Sequence, residues 1–520
     1  MRITNKIMRN NSLYNLNQNK MLEDKLTNQM TNQSKIARPS DDPVVAIRAL
    51  RLRSNVTQVS QYYEKNASDA GNWLTVTADA LTTIDEILKD LYEKAGSAAN
   101  KDLTSEDLEI LLTQMKSLTK EFYSSGNVDY AGRYIFSGFR TDTAITFSAE
   151  DIAEMKKHPV KYEINENLGF ADIDSFDYTD YSILTEKNPT LDAGTSYEQS
   201  ITNTKLYRLR LAYDDLDVMD PNLDPTTPGN KSKLTFKNAL GTKNYGDDMT
   251  EYANAEDAYA AIADGSEKGI AYIPSTGELV FSQAYYEKNF SEGNSYKVTY
   301  EKSNWREDDI NPVHYFECTE TKTIGGGKPD KVTIYNSEFT TLPQDIYYDV
   351  GFNQKIQVNT VASEVFTHDV QRDMDDLQRC LDQLQGIETQ ISDIKKKMGD
   401  YAEDSNEYKD LSKRLEAAEK AYSYIRESIH TKFENQITKY QDYLDDNNIA
   451  ITNNATRGSR LELISTRLMN QHATFKELQT DNESIDVTQV AVELSSSELT
   501  YQAALMATGK IMQTNLMNYI

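Results

Sequence analysis

The sequence predicts an α+β multidomain chain: a long antiparallel coiled-coil helical core from both termini, with a strand-rich inserted outer domain and an extra helical hairpin. Three patterns predict it. Apolar residues recur at alternating four- and three-residue spacing near both ends, which is the seam of paired helices. Between residues 126 and 359 the texture changes to short tyrosine- and threonine-rich runs cut by Asp, Asn, Gly and Pro, as strands and turns require. Two further apolar arms face each other across Gly399 and Asp400.

In chain order, residues 1–36 read as a terminal helical segment. Asp42 suits an N-cap and Pro43 the first helical position, so a long helix opens there. The stripe Val56, Ser60, Tyr63, Ala67, Ala70, Leu74, Thr77, Leu81, Ile84, Leu88, Leu91, Ala95 makes residues 37–140 the N-terminal part of a helical core. A second helix starts near Thr104 and Ser105 and stops at Gly126. Residues 141–358 read as the strand-rich domain, with one helix around 254–263. Residues 359–484 return to helix in three arms, at 374–398, 411–444 and 461–478, with an added hairpin at about 382–425. Residues 485–520 form the last helix, amphipathic and uncharged after Glu498 except for Lys510.

Composition narrows the function. The 520 residues carry a net charge of −27, which argues against nucleic-acid or anionic-membrane partners, since both need a basic face. Residues 1–60 depart from this, with ten Lys/Arg against four Asp/Glu: a solvated helix face, or a segment held for a partner. The two cysteines, Cys318 and Cys380, are too few for a disulfide framework. No apolar run reaches the ~18 residues of a membrane span, so no membrane insertion is expected. The N-terminus lacks the apolar core of a secretory signal, which by itself points to the cytoplasm.

No catalytic, cofactor-binding or metal-binding constellation emerges. The five histidines lack metalloprotease spacing. His314, Glu317, Cys318 and Glu320 are close in sequence, but a strand throws neighbouring side chains to opposite faces. Gly325, Gly326, Gly327, Lys328 and Pro329 imitate a phosphate loop without its upstream glycine or its hydroxyl residue, so a hairpin turn is expected instead. The chain is expected not to be an enzyme.

The run Arg38, Pro39, Ser40, Asp41, Asp42, Pro43, followed by Ala46, Ala49, Leu50, Arg51, Arg53 and Ser54, resembles the signature of the hook-associated protein 3 family within the flagellins. Asn66, Ala67, Ser68, Asp69, Ala70, Trp73 and Leu74 extend the likeness. Arg133, Tyr134, Ile135, Phe136, Ser137 and Gly138 resemble the family's turn into its outer domain, and Asp349, Val350 and Gly351 with Val365 and Phe366 its return. The motifs Arg457, Gly458, Ser459, Arg460, Leu461 and the tail from Leu499 to Ile520 are similar too.

The resemblance implies a structural subunit of the bacterial flagellum at the hook–filament junction. It implies export through the flagellar secretion channel with the N-terminus uncleaved, and hence an extracellular location. Implied partners are further copies in a ring, a neighbouring hook-associated protein, flagellin and, before secretion, an export chaperone. Filament flagellin and a secreted coiled-coil adhesion or binding protein are the alternatives. The terminal stripes, with nothing local to bury them, supply the expected assembly and chaperone face: Ile3, Ile7, Leu494, Tyr501, Leu505, Met512, Leu516, Tyr519 and Ile520.

Overall fold

A computed structural model of the chain describes residues 5–185, 196–218, 233–323, 331–336 and 344–513. The expected turn at 325–329 lies outside them. Seven long helices dominate: α1 (Asn5–Asn32), α2 (Pro43–Ser60), α3 (Ser68–Ala98), α4 (Ser105–Ser124), α5 (Asp369–Met398), α6 (Asn406–Glu483) and α7 (Val487–Gln513). The chain divides into two units. One comprises Met1–Asn72, Tyr347–Ile356 and Arg457–Ile520; the other comprises Trp73–Ile346 and Gln357–Thr456.

The larger unit holds an antiparallel bundle. Along the α3–α6 seam, Asn454 Nδ2 donates to Leu74 O at 2.8 Å and Asn447 Nδ2 to Leu81 O at 3.1 Å. Further along, Lys101 Nζ meets Glu427 at 3.0 Å, in the same register. Leu81, Ile84, Leu88, Leu91 and Ala95 of α3 are buried, as their spacing predicts. α4 opens on a capping box between Thr104 and Asp107 and runs antiparallel to α5. Lys116 Nζ donates to Gln378 Oε1 at 2.6 Å and Gln385 Nε2 to Glu109 Oε2 at 2.9 Å.

α5 and α6 are joined by the exposed loop at 399–405. Near Glu388 and Glu427 the α3–α4 turn is reached, and the two arms continue past it. The stretch of α6 from Glu427 back to Asn406 is roughly 30 Å long at helical rise. It is braced by a short helix at Tyr197–Ser200: Lys420 Nζ donates to Glu198 O at 2.8 Å, and the Arg414 guanidinium lies 5.0 Å from the Tyr197 ring.

Two expectations about helix continuity are corrected. The arms at 411–444 and 461–478 are one helix, α6. The polar stretch between them does not break it, because Asn447 and Asn454 spend their amides on α3 carbonyls. The seam from Val56 to Ala95 is not uniformly α-helical either, since Gln61–Ala67 winds as a π-helix.

The inserted region has two five-stranded sheets. Its strands are β1 (Val160–Gly169), β2 (Ile173–Asp180), β3 (Thr202–Arg210), β4 (Thr235–Asn238), β5 (Met249–Glu251), β6 (Ile270–Ile273), β7 (Glu278–Ser282), β8 (Ser295–Lys302), β9 (Glu317–Lys322) and β10 (Lys331–Tyr335). The orders are β10-β9-β1-β8-β4 and β2-β3-β7-β6-β5, antiparallel except for β5 beside β6. The helix expected around 254–263 is Ala255–Ala263; Ala149–Lys157 and Gln283–Asn289 are two more that the tyrosine-rich texture hid. One aromatic core, including Tyr162, Phe236, Phe281, Tyr296 and Trp305, lies under these strands.

An ionic seam ties this region to the bundle. Arg208 and Arg210, two apart on β3, share a face. They meet Asp369, Asp373 and Asp376, whose four- and three-residue spacing puts them on one face of α5. Arg210 reaches Asp373 at 2.7 Å and Asp369 at 2.8 Å; Arg208 meets Glu278 and Asp174 at 3.1 Å and also pairs with Asp376. The β6–β7 turn closes against the same helix. Arg372 donates to Thr276 O, and Gly277 (φ +58°) must be glycine because a Cβ would sit 2.0 Å from Tyr213 O.

Candidate assembly surfaces

The signature run is a turn followed by a helix cap. Asp41 Oδ2 accepts from Arg38 N at 2.9 Å and Ala37 N at 3.1 Å; Asp42 Oδ1 accepts from Val44 N at 2.9 Å and Val45 N at 3.1 Å. Pro43 then opens α2. Arg38, Pro39 and Ser40 are exposed. These residues fix where α2 begins.

In the smaller unit the ends of the chain are pinned together. Lys35 N donates to Glu483 O at 2.8 Å, Arg53 Nε to Glu483 Oε1 at 2.8 Å, and Asn482 Nδ2 to Val45 O at 3.2 Å. From this junction α1 and α7 run antiparallel along each other. On α7 the sheltered positions are Val490, Leu494, Ser497, Tyr501, Ala504 and Thr508; on α1 they are Ser12, Leu16, Asn19, Glu23, Leu26 and Met30. Both sets keep heptad spacing, so the two helices spend one stripe each on the other.

A second stripe remains on each. Ile7, Tyr14 and Met21 are seven apart on α1 and are 50%, 64% and 65% exposed. Val492, Leu499 and Met506 are seven apart on α7 and are likewise exposed. On α2, Val44, Ile47 and Leu50 are bare as well. Leu26 is the one buried apolar side chain described on α1. A helix of 28 residues that buries so little depends on packing against other helices for its stability.

The expected face therefore divides. Ile7 and Leu505 are exposed, while Leu494 and Tyr501 are half-buried in the α1–α7 seam. Ile3, Leu516, Tyr519 and Ile520, and the side chain of Met512, lie outside the described residues. The exposed stripes Ile7–Tyr14–Met21 and Val492–Leu499–Met506 were missed as sets, although their seven-residue period was readable.

A hairpin pairs Tyr347–Gly351 with Gln354–Gln357, and all of it up to Ile356 belongs to the same unit. Asn66 Nδ2 holds it through Asp349 O at 2.7 Å, and Phe352 at its turn is almost wholly exposed.

The chemistry considered from sequence is used for structure. Among the described residues, no group of three His, Cys, Asp or Glu is placed to hold a metal ion. His314 Nε2 faces Ala144 O at 3.0 Å, and burial pushes the imidazole down to about 4. Glu320 takes the hydroxyls of Tyr335 at 2.8 Å and Tyr162 at 3.2 Å. Burial drives the Cys318 thiol up to about 12, far from a reactive thiolate. Among the described residues, no helix is long and apolar enough to cross a membrane.

Comparison with known proteins agrees with the N-terminal reading. A family model for the bacterial flagellin N-terminal helical region matches residues 3–141. Flagellar hook-associated protein 3 of Escherichia coli (strain K12) is 32% identical over 123 residues, which is 24% of this chain and 38% of that protein. Flagellar hook-associated protein 3 of Salmonella typhimurium is 28% identical over 145 residues, 28% of this chain and 45% of that protein. The matched portion thus spans less than half the length of either relative. Among solved structures, FlgL of Xanthomonas campestris aligns over 82% of this chain and 98% of its own, at 10% identity and a TM-score of 0.26. The flagellar junction protein FlgL of Legionella pneumophila aligns over 85% and 100%, at 10% identity and 0.27. The N-terminal part of the chain is thus similar to the bacterial flagellin N-terminal helical region and to part of two hook-associated proteins.

Proposed function

We propose that this protein is an extracellular structural subunit of the bacterial flagellum that joins hook to filament. The observation that carries the reading is the pair of unpartnered heptad stripes on α1 and α7. Bare apolar stripes of this length mark a surface meant for another molecule. Neighbouring copies, an adjoining hook-associated protein and flagellin would cover them by helix packing; before export, a helical chaperone would. In this division of labour residues 1–36 and 485–520 assemble, residues 37–140 and 359–484 form the stiff core, and residues 141–358 are carried outside it. Passage through the export channel requires unfolding. Local helical contacts favour rapid refolding at the far side.

Deleting the gene should leave hooks assembled but bare of filaments, with flagellin lost to the medium; electron micrographs showing normal filaments would refute the junction role. Seeded alone, the purified protein should stop at short assemblies, whereas long filaments would make it a filament flagellin.

The stripe itself is testable separately. Leu499→Asp and Leu505→Asp should change monomer melting by no more than ~0.5 kcal/mol, as exposed positions do. Both should abolish filament attachment and chaperone capture. A destabilisation of ~2–5 kcal/mol, typical of a disrupted core, would place these residues inside the monomer.

A further inference from the structure

Lys302 closes β8 with a side chain that has no exposure at all. A buried ammonium ordinarily sits in direct contact with a carboxylate, at ~2.7–2.9 Å. This one does not. Its Nζ donates to the backbone oxygen of Asp214 at 2.6 Å, while the carboxylates of Asp214 and Asp309 stand off at 3.6 and 3.7 Å. The rest of its shell is aromatic, with the Trp305 ring 5.2 Å away and the Tyr213 ring 5.9 Å away. Phe147 and Tyr162 pack on Trp305 at 5.1 and 5.3 Å.

The two carboxylates differ. Asp214 pairs with Arg306 and lies 3.8 Å from Arg372. Against the pull of burial, those cations and Lys302 hold it below the usual range, so it stays ionised. Asp309 accepts from Arg306 N at 3.0 Å, and burial raises its carboxyl. Burial also lowers the Lys302 amine. In water an ammonium and a carboxylate do not condense. Burial favours the uncharged form of both the amine and the Asp309 carboxyl, and beside them an ionised carboxylate can move the proton; these are the parts for amide formation.

We propose that Lys302 Nζ and Asp309 Cγ condense after folding into an intramolecular isopeptide bond. The Nζ lone pair adds to Cγ of the Asp309 carboxyl, whose Oδ2 stands 3.7 Å from Nζ, so a small approach brings the reacting atoms together. Asp214 takes a proton from the new ammonium and delivers it to the adduct's hydroxyl. The C–O bond breaks, one water leaves and Asp214 returns to its ionised form. No oxidant, metal or second protein is needed. The bond closes the loop from 302 to 309 over Trp305, in a chain whose two cysteines are both free and buried.

Intact mass spectrometry of the purified full-length protein tests this. The expected mass is that of the sequence less one water. Tryptic digestion should fail after Lys302 and give a peptide branched between Lys302 and Asp309. Asp309→Ala should restore the full sequence mass, and Asp214→Asn should slow the loss of water after refolding. A wild-type mass equal to the sequence overturns the proposal irrespective of whether either variant folds. A branch located at Asp214 overturns the assignment of Asp309 as acceptor.

Discussion

Asp376→Ala should destabilise the larger unit by about 3–5 kcal/mol, the usual result of breaking one side of a buried ion pair. Asp376 is fully enclosed and receives Arg208, Arg210 and Arg379 together. Burial alone would raise its pKa; the charges of Arg208, Lys432, Arg379 and Arg210 overcome that and hold it well below the usual carboxylate range. Alanine would leave Arg208, itself 5% exposed, facing only Glu278 and Asp174. The sign with pH follows from the depressed value. The contribution is complete above the unfolded carboxylate range and is lost only as pH falls through the lower folded value. Urea unfolding at neutral pH should therefore show the full penalty. A double variant, Asp376→Leu with Arg208→Met, should recover much of it, because a well-packed apolar pair avoids desolvating two ions. A single variant as stable as wild type would mean that the α5 seam is hydrated and the arginines are not desolvated.

The second large effect has the opposite sign. Glu166 on β1 is buried, and its Oε2 accepts from Tyr300 Oη at 2.8 Å and Ala212 N at 3.1 Å. Burial pushes the carboxyl up to about 7 despite those two hydrogen bonds. A group whose folded pKa exceeds its unfolded value stabilises fully below the unfolded value, and the stabilisation is lost as pH rises through the folded one. Between pH 4.5 and 7 the native state thus loses ~3 kcal/mol from this residue. Glu166→Gln keeps a carbonyl for both donors and removes the titration. Its urea midpoint should exceed that of wild type at pH 8, and its stability should vary less between pH 5 and 8. Parallel profiles for the two proteins would show that Glu166 is hydrated.

What could be read in the sequence was local or periodic. Asp42 and Pro43 announce the start of α2, and the stripe through Leu74, Leu81 and Leu88 announces the face that meets α6. The hairpin arms were visible because Gly399 and Asp400 interrupt two apolar stripes. Features that depend on distant residues were hidden. Asp445, Asp446, Asn447 and Asn448 look like a helix break until α3 supplies carbonyls for Asn447 and Asn454. Lys302 is one lysine among many in the sequence; its environment comes from residues 213, 214, 305 and 309 folded around it. Strand order was equally out of reach, since β1 lies between β8 and β9, more than a hundred residues away in the chain. On the terminal helices the period was seen but its two faces were merged. Choosing the face that meets α1 requires knowing where α1 lies, so Leu494 and Tyr501 were grouped with residues that point to solvent.

The projecting end of α5 and α6 also determines where the protein can grow. The loop at 399–405 is almost entirely exposed, and it joins two helices whose inner partners lie further down the bundle. Adding one heptad to each arm would preserve the facing stripe and lengthen the projection by ~10 Å. A foreign peptide placed in the loop would add only a small loop-closure term, since that term rises slowly with length. Neither change would alter the α3–α6 register set by Asn447 and Asn454, or the ionic seam at Asp369, Asp373 and Asp376. This end of the molecule can thus acquire new surface, for an antibody tag or a host-facing epitope, while the stripes on α1 and α7 stay as they are.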